Sequence, residues 1–185
     1  MARRYDPDRR QRIIDAAMRV VRVKGLDGLS HRSVAAEADV PLGSTTYHFA
    51  TLDELMVAAL RQANDRFGEM LAAEAELWGP GSDLAASLAR LLGEWLQGDV
   101  ARVELEYELY LAAVRKPVLR EVAAEWAESA RELLTEWTDE VTARGVVALI
   151  DGICLQVLLT GEGYDEGVAR EVFRRVVGGG GAERG

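Results

Sequence analysis

Between positions 41 and 55 the chain reads PLGSTTYHFATLDEL, and here it gathers the side chains best suited to grip a polar surface. Ser44, Thr46, Tyr47 and His48 all carry hydrogen-bond donors. Four small residues, Gly43 to Thr46, precede the two rings. A helix built only to fill a core would use Leu and Ala there. Small residues in a first turn let the backbone press close to another surface. The free N–H groups and dipole of a helix N-terminus favour an anion at that point. The chemistry on offer is recognition of phosphates and base edges by hydrogen bonding.

Charge is distributed to match. The chain has 185 residues and a formal net charge of −9. Residues 1–49 hold 9 Lys/Arg against 6 Asp/Glu, a net of +3, whereas the remainder is strongly acidic. Arg3, Arg4, Arg9, Arg10 and Arg12 cluster at the start. Such asymmetry points the basic end at a polyanion.

The elements that must position these residues are helical. Ala, Leu, Glu and Arg recur at helical spacing, and alternating strand-like runs are absent, so the chain reads as all-α with about nine helices. The first helix is predicted over Pro7–Lys24, with Ile13, Ile14, Ala17, Val20 and Val21 forming one apolar stripe before Gly25. Ser30 is a good N-cap for a second helix over His31–Ala38, whose Ala35 and Ala38 permit close helix approach. Asp39 tolerates a left-handed turn, and Pro41 suits the opening of a short third helix ending at His48. Thr51-Leu52-Asp53-Glu54 forms a capping box for a fourth helix running to about Leu77. Five more follow: Asp83–Gln97, Val100–Lys116, Val118–Thr142, Arg144–Thr160 and Glu166–Val177. Residues 178–185 read as a disordered tail.

A helix, a short turn and a small second helix make a helix-turn-helix, in which the second helix enters the DNA major groove. The segment SHRSVAAEADVPLGSTTYHFATLDEL, residues 30–55, resembles the DNA-binding segment of the TetR (tetracycline-repressor-like) family. Ser30, Val34, Ala35, Ala38, Val40, Gly43, Ser44, Phe49 and Leu55 match that pattern or nearly so. Departures are Asp39 for the usual turn Gly, Pro41 for Ser, Thr45-Thr46 for Leu-Tyr, His48 for the second Tyr, and Leu52 for a Lys. The resemblance implies that Leu42, Gly43 and Ser44 face bases. It places Thr46, Tyr47 and His48 on the backbone, with Ser30 and Arg32 adding phosphate contacts. Phe49 is assigned to the core.

It further implies a division into a DNA-binding domain over 1–50 and a helical domain over 51–177 that binds an effector and dimerises. The residues permit this. Trp95, Tyr107, Tyr110 and Trp126 are aromatics with polar handles that could line a small-molecule site, although aromatics at helical spacing are more often core than pocket. Arg144–Thr160 is apolar nearly all round and needs cover on both faces. The last two helices are expected to form a two-fold interface.

A single Cys excludes an internal disulfide framework, and two His residues argue against a His-rich metal site. No catalytic motif and no cofactor are indicated. The N-terminus lacks a signal-peptide core, and the 14-residue apolar run Val146–Leu159 reads as too short to span a membrane, so a cytoplasmic protein is expected. The function expected is a ligand-responsive transcriptional regulator, a dimeric repressor released from a palindromic operator by a small molecule. The net charge and Leu52 leave open a helical adaptor or small-molecule-binding protein that does not bind DNA.

Overall fold

The computed structural model describes residues 6–179. Among these residues it contains nine α-helices, one 3-10 turn and no strands, as the periodicity requires. The helices are α1 (Arg9–Lys24), α2 (His31–Glu37), α3 (Leu42–His48), α4 (Leu52–Ala75), α5 (Leu84–Gly98), α6 (Val100–Ala112), α7 (Pro117–Thr135), α8 (Glu140–Thr160) and α9 (Glu166–Gly179). The basic residues Arg3 and Arg4 and most of the expected tail lie outside the described residues. Gly178 and Gly179 belong to α9.

Two compact units form. The first comprises the described residues up to Ala63 together with Leu105–Ala123. The second comprises Asn64–Glu104 and the described residues from Ala124 onward.

In the first unit the α1 stripe is fully engaged: Ile13, Ile14, Ala17, Val20 and Val21 are all buried. They share a core with Val34 and Ala38, Phe49, Leu55 and Leu60, and with Leu105, Leu109 and Leu119. The local signals act as expected. Ser30 Oγ accepts from the Ser33 amide at 3.0 Å, and Ser33 Oγ accepts from the Ser30 amide at 2.9 Å. Asp39 turns the chain at φ 52°, and the Val40 amide bonds the Ala35 carbonyl at 3.0 Å. Thr51 Oγ1 accepts from the Glu54 amide, and the Glu54 carboxylate accepts from the amide of Ala50.

In the second unit α5 packs chiefly against α9, which also meets α8. Tyr164 donates to the Ala89 carbonyl at 2.5 Å, and Arg170 pairs with Asp83. Arg90 bridges Glu94 and the buried Glu74.

One predicted helix is divided. Val118–Thr142 is in fact two elements, because Asp139 caps α8 by accepting from the amides of Val141 and Thr142, both at 3.0 Å. The apolar pattern of Leu133, Leu134, Trp137 and Val141 runs straight across this break and hides it. Helix α8 therefore begins earlier than Arg144. At 21 residues it meets the length and composition of a membrane-crossing helix, a test that the core helix of a soluble protein also passes. Only a third of its apolar window is buried.

Candidate nucleic-acid interface

Helix α3 is anchored by one side and open on the other. Thr45 is fully buried, its Oγ1 donating to the Leu42 carbonyl at 2.8 Å, and Phe49 behind it is 2% exposed. On the opposite side Leu42, Gly43, Thr46 and Tyr47 are exposed, Tyr47 at 84%. His48 is half-buried and meets the Tyr47 ring edge-to-face at 5.2 Å, so the two polar tips leave the helix side by side.

One expected contact is placed differently, and another residue serves the cap expected of it. Ser44 is 3% exposed, and its Oγ has no hydrogen-bond partner among the described residues. One position past exposed Gly43, it falls on the buried side of the helix beside Thr45. Its small size lets α3 sit tightly on the body; its hydroxyl does not reach the open face. Ser30 is committed to capping α2, its hydroxyl also donating to Ser33 at 3.0 Å. Arg32, the second residue of α2, is exposed and makes no ion pair among the described residues.

The structure sets one cation of the N-terminal run against the residue that follows α3. The Arg10 guanidinium lies 5.0 Å from the centroid of the Phe49 ring, directly after α3. Arg9 and Arg12 of the same run instead pair with Asp6. Nothing in local spacing distinguishes Arg10 from its neighbours; only the packing of Phe49 does. Leu52, the departure from a family Lys, is half-buried against the first unit's core, so hydrophobic packing accounts for the Leu.

The aromatic candidates separate into two groups. Phe67, Trp95 and Trp126 cluster in the second unit: the Phe67 and Trp95 rings meet edge-to-face at 5.1 Å, and Phe67 and Trp126 at 6.0 Å. Trp95 is 5% exposed, and the Arg102 guanidinium lies 4.3 Å from its ring centroid. Tyr107 and Tyr110 meet each other at 6.1 Å within the first unit. Phe67 was missed by the sequence reading because one Phe at helical spacing carries no signal beyond core.

Three glutamates at alternate positions of α6 have different surroundings. Glu104 is exposed, Glu106 is buried, and Glu108 accepts a hydrogen bond from the Leu26 amide at 3.0 Å.

Comparison with known proteins agrees with this arrangement. Residues 13–59 match the family "Bacterial regulatory proteins, tetR family", and residues 79–179 match "Tetracyclin repressor-like, C-terminal domain". The multidrug binding protein EbrR, solved with ethidium, is 68% identical, with 94% of this chain and 100% of that chain covered at a TM-score of 0.86. EbrR has also been solved with malachite green and with proflavin. A TetR-family member from Streptomyces coelicolor A3 is likewise 68% identical, covering 92% and 99% of the two chains at a TM-score of 0.87. The HTH-type nicotine-responsive transcriptional repressor HdnoR of Paenarthrobacter nicotinovorans is 28% identical over 80% of this chain and 83% of its own length. The buried core side of α3, its bare outer side and these matches together place the chain in the TetR family, as a ligand-responsive, DNA-binding transcriptional regulator.

Proposed function

We propose that this regulator is a cytoplasmic homodimer that represses transcription from a two-fold symmetric operator and is released by an aromatic cation. The division of labour follows the sequence reading: residues 1–50 hold the DNA, and residues 51–177 hold the effector and the second subunit.

The observation that carries the DNA reading is the outer side of α3. On this reading Leu42 and Gly43 meet base edges, and Thr46, Tyr47 and His48 meet the phosphate backbone, with the exposed Arg32 and Arg10 adding positive charge. Backbone contacts of this kind fix register, and the base-facing residues set sequence preference.

The dimer reading is supported by α8 and α9. Leu159 is 81% exposed and Val168 61%, while Ile153, Leu155 and Leu158 on α8 are only half-buried. A second copy would cover this apolar surface and present two recognition helices to half-sites about one DNA turn apart.

For the effector, the support is the 68% identity to EbrR, whose solved ligands include ethidium, malachite green and proflavin, together with the Phe67–Trp95–Trp126 cluster. All three compounds are planar or near-planar delocalised cations, and aromatic faces attract such charges. Effector and operator then oppose each other through one coupling free energy.

Selection of bound sequences from random duplex DNA tests the first two points. A two-fold symmetric consensus is expected. A consensus without symmetry, or no enrichment, overturns the reading. Adding ethidium to the selected complex should raise its dissociation constant roughly 5- to 150-fold, the usual range of such coupling.

A further inference from the structure

The first turn of α3 keeps its hydroxyl groups away from its open side. Ser44 Oγ is buried. Thr45 is fully buried and donates to the Leu42 carbonyl at 2.8 Å. Thr46, one residue further on, is exposed, yet its Oγ1 reaches back to the Gly43 carbonyl at 3.4 Å. What the helix start shows outside is carbon: Pro41, Leu42 and Gly43 are all exposed, Leu42 at 46%. Pro41 has no N–H to give. A Cβ on Gly43 would meet nothing within 4 Å, so packing within the chain does not call for a glycine there. Its bare backbone instead lets an outside surface come close to Leu42. The polar tips of Tyr47 and His48 leave the helix more than a turn further on.

A base pair is read in the major groove through donors, acceptors and one apolar group, the C5-methyl of thymine. An exposed Leu flanked by Pro and Gly is matched only to the last of these. We propose that Leu42 reads a thymine methyl, and that this apolar contact, rather than a side-chain hydrogen bond, sets the base preference at the start of α3. This rests on the DNA reading above and names the chemical group at the base edge. Each half-site of the operator then carries a thymine at one fixed position, repeated by symmetry in the other half-site. The contact senses the methyl and not the donors and acceptors beside it. A 5-methylcytosine at that position therefore replaces thymine better than cytosine does.

The test replaces thymine by uracil, one position at a time, in the duplex selected from random DNA, and measures binding of the full chain by fluorescence anisotropy. Uracil lacks only the methyl and keeps every donor and acceptor. One position in each half-site should lose roughly fourfold in affinity, the worth of burying one methyl group, and replacing both should lose about fifteenfold. At that position 5-methylcytosine should bind more tightly than cytosine. Leu42→Ala should remove most of the difference between thymine and uracil there. Tyr47→Ala should weaken both duplexes alike and leave their ratio unchanged. The proposal is overturned if no change from thymine to uracil lowers affinity, if 5-methylcytosine and cytosine bind equally, or if the thymine preference survives undiminished in Leu42→Ala. Should Leu42→Ala not fold, the two base replacements, which need only the native protein, decide the matter. Native protein that binds the duplex but ignores the methyl overturns this contact alone. If it binds no duplex at all, the DNA reading itself falls and the contact falls with it.

Discussion

Glu108 of α6 accepts a 3.0 Å hydrogen bond from the backbone N–H of Leu26, at the corner where α1 gives way to α2. The same carboxylate lies 3.7 Å from where a Cβ on Gly25 would stand, and Gly25 has φ 68°. A helix beyond the DNA-binding segment therefore holds that segment's first corner in place. The bond is partly buried and its acceptor is charged, which puts it among the stronger hydrogen bonds. Glu108→Ala should lower unfolding free energy by about 2 kcal/mol, read from urea denaturation, while Glu108→Gln keeps an acceptor and loses less. Equal stability of Glu108→Ala and wild type would show that the contact carries no energy.

Tyr47 and Leu42 should separate affinity from preference. Tyr47 is 84% exposed, so Tyr47→Ala should leave the melting temperature near wild type and weaken binding to all duplex sequences alike. Leu42→Ala should instead change the ranking of operator variants. A parallel binding assay on a panel of single-base operator variants distinguishes the two patterns.

Salt should act steeply. Each phosphate neutralised contributes a slope of about −0.9 to log affinity against log salt. Arg32→Ala and Arg10→Ala should each flatten that slope by about one, because each removes one positive charge from the α3 flanks. A slope unchanged in Arg10→Ala would place its guanidinium away from the backbone despite its position over Phe49.

Gly93 and Tyr164 are fitted to each other. A Cβ at position 93 would lie 2.9 Å from Tyr164 Cε1, closer than real side chains approach. Burial pushes the Tyr164 hydroxyl's pKa well up, with the nearby Glu166 charge adding to it, and the hydroxyl donates to the Ala89 carbonyl at 2.5 Å. Gly93→Ala should force the ring aside and cost about 1–3 kcal/mol, the usual range for overpacking. Tyr164→Phe should cost about 1 kcal/mol through the lost hydrogen bond. In the double variant the two losses should not add, which a double-mutant cycle measures.

Asp139 should make α8 sensitive to acid. The Thr142 hydroxyl and amide, followed by the Val141 amide, hold its carboxyl below the usual carboxylate range. A carboxylate whose folded pKa is lowered contributes stability above its unfolded pKa and loses it as pH falls through the folded value. Asp139→Asn keeps the cap without the charge, so wild type should be the more stable of the two near neutrality. The difference should shrink as pH drops below about 4. A constant difference across that range would contradict the assignment.

Much of the protein could be read from local sequence alone. Ser30, Thr51 and the Asp39 turn define helix ends through bonds within a few residues, and the α1 stripe of Ile13, Ile14, Ala17, Val20 and Val21 needs only helical periodicity. These determined the helix-turn-helix, its short α3, and the basic character of that end. Tertiary packing decided the rest. It turned Ser44 inward and left Tyr47 bare, set Arg10 on Phe49, put Glu108 on Leu26 across 82 residues, and laid Arg102 over Trp95. Periodicity tells which side of a helix is apolar, but not which distant side chain closes over it. That depends on the neighbours brought there when the core excludes water.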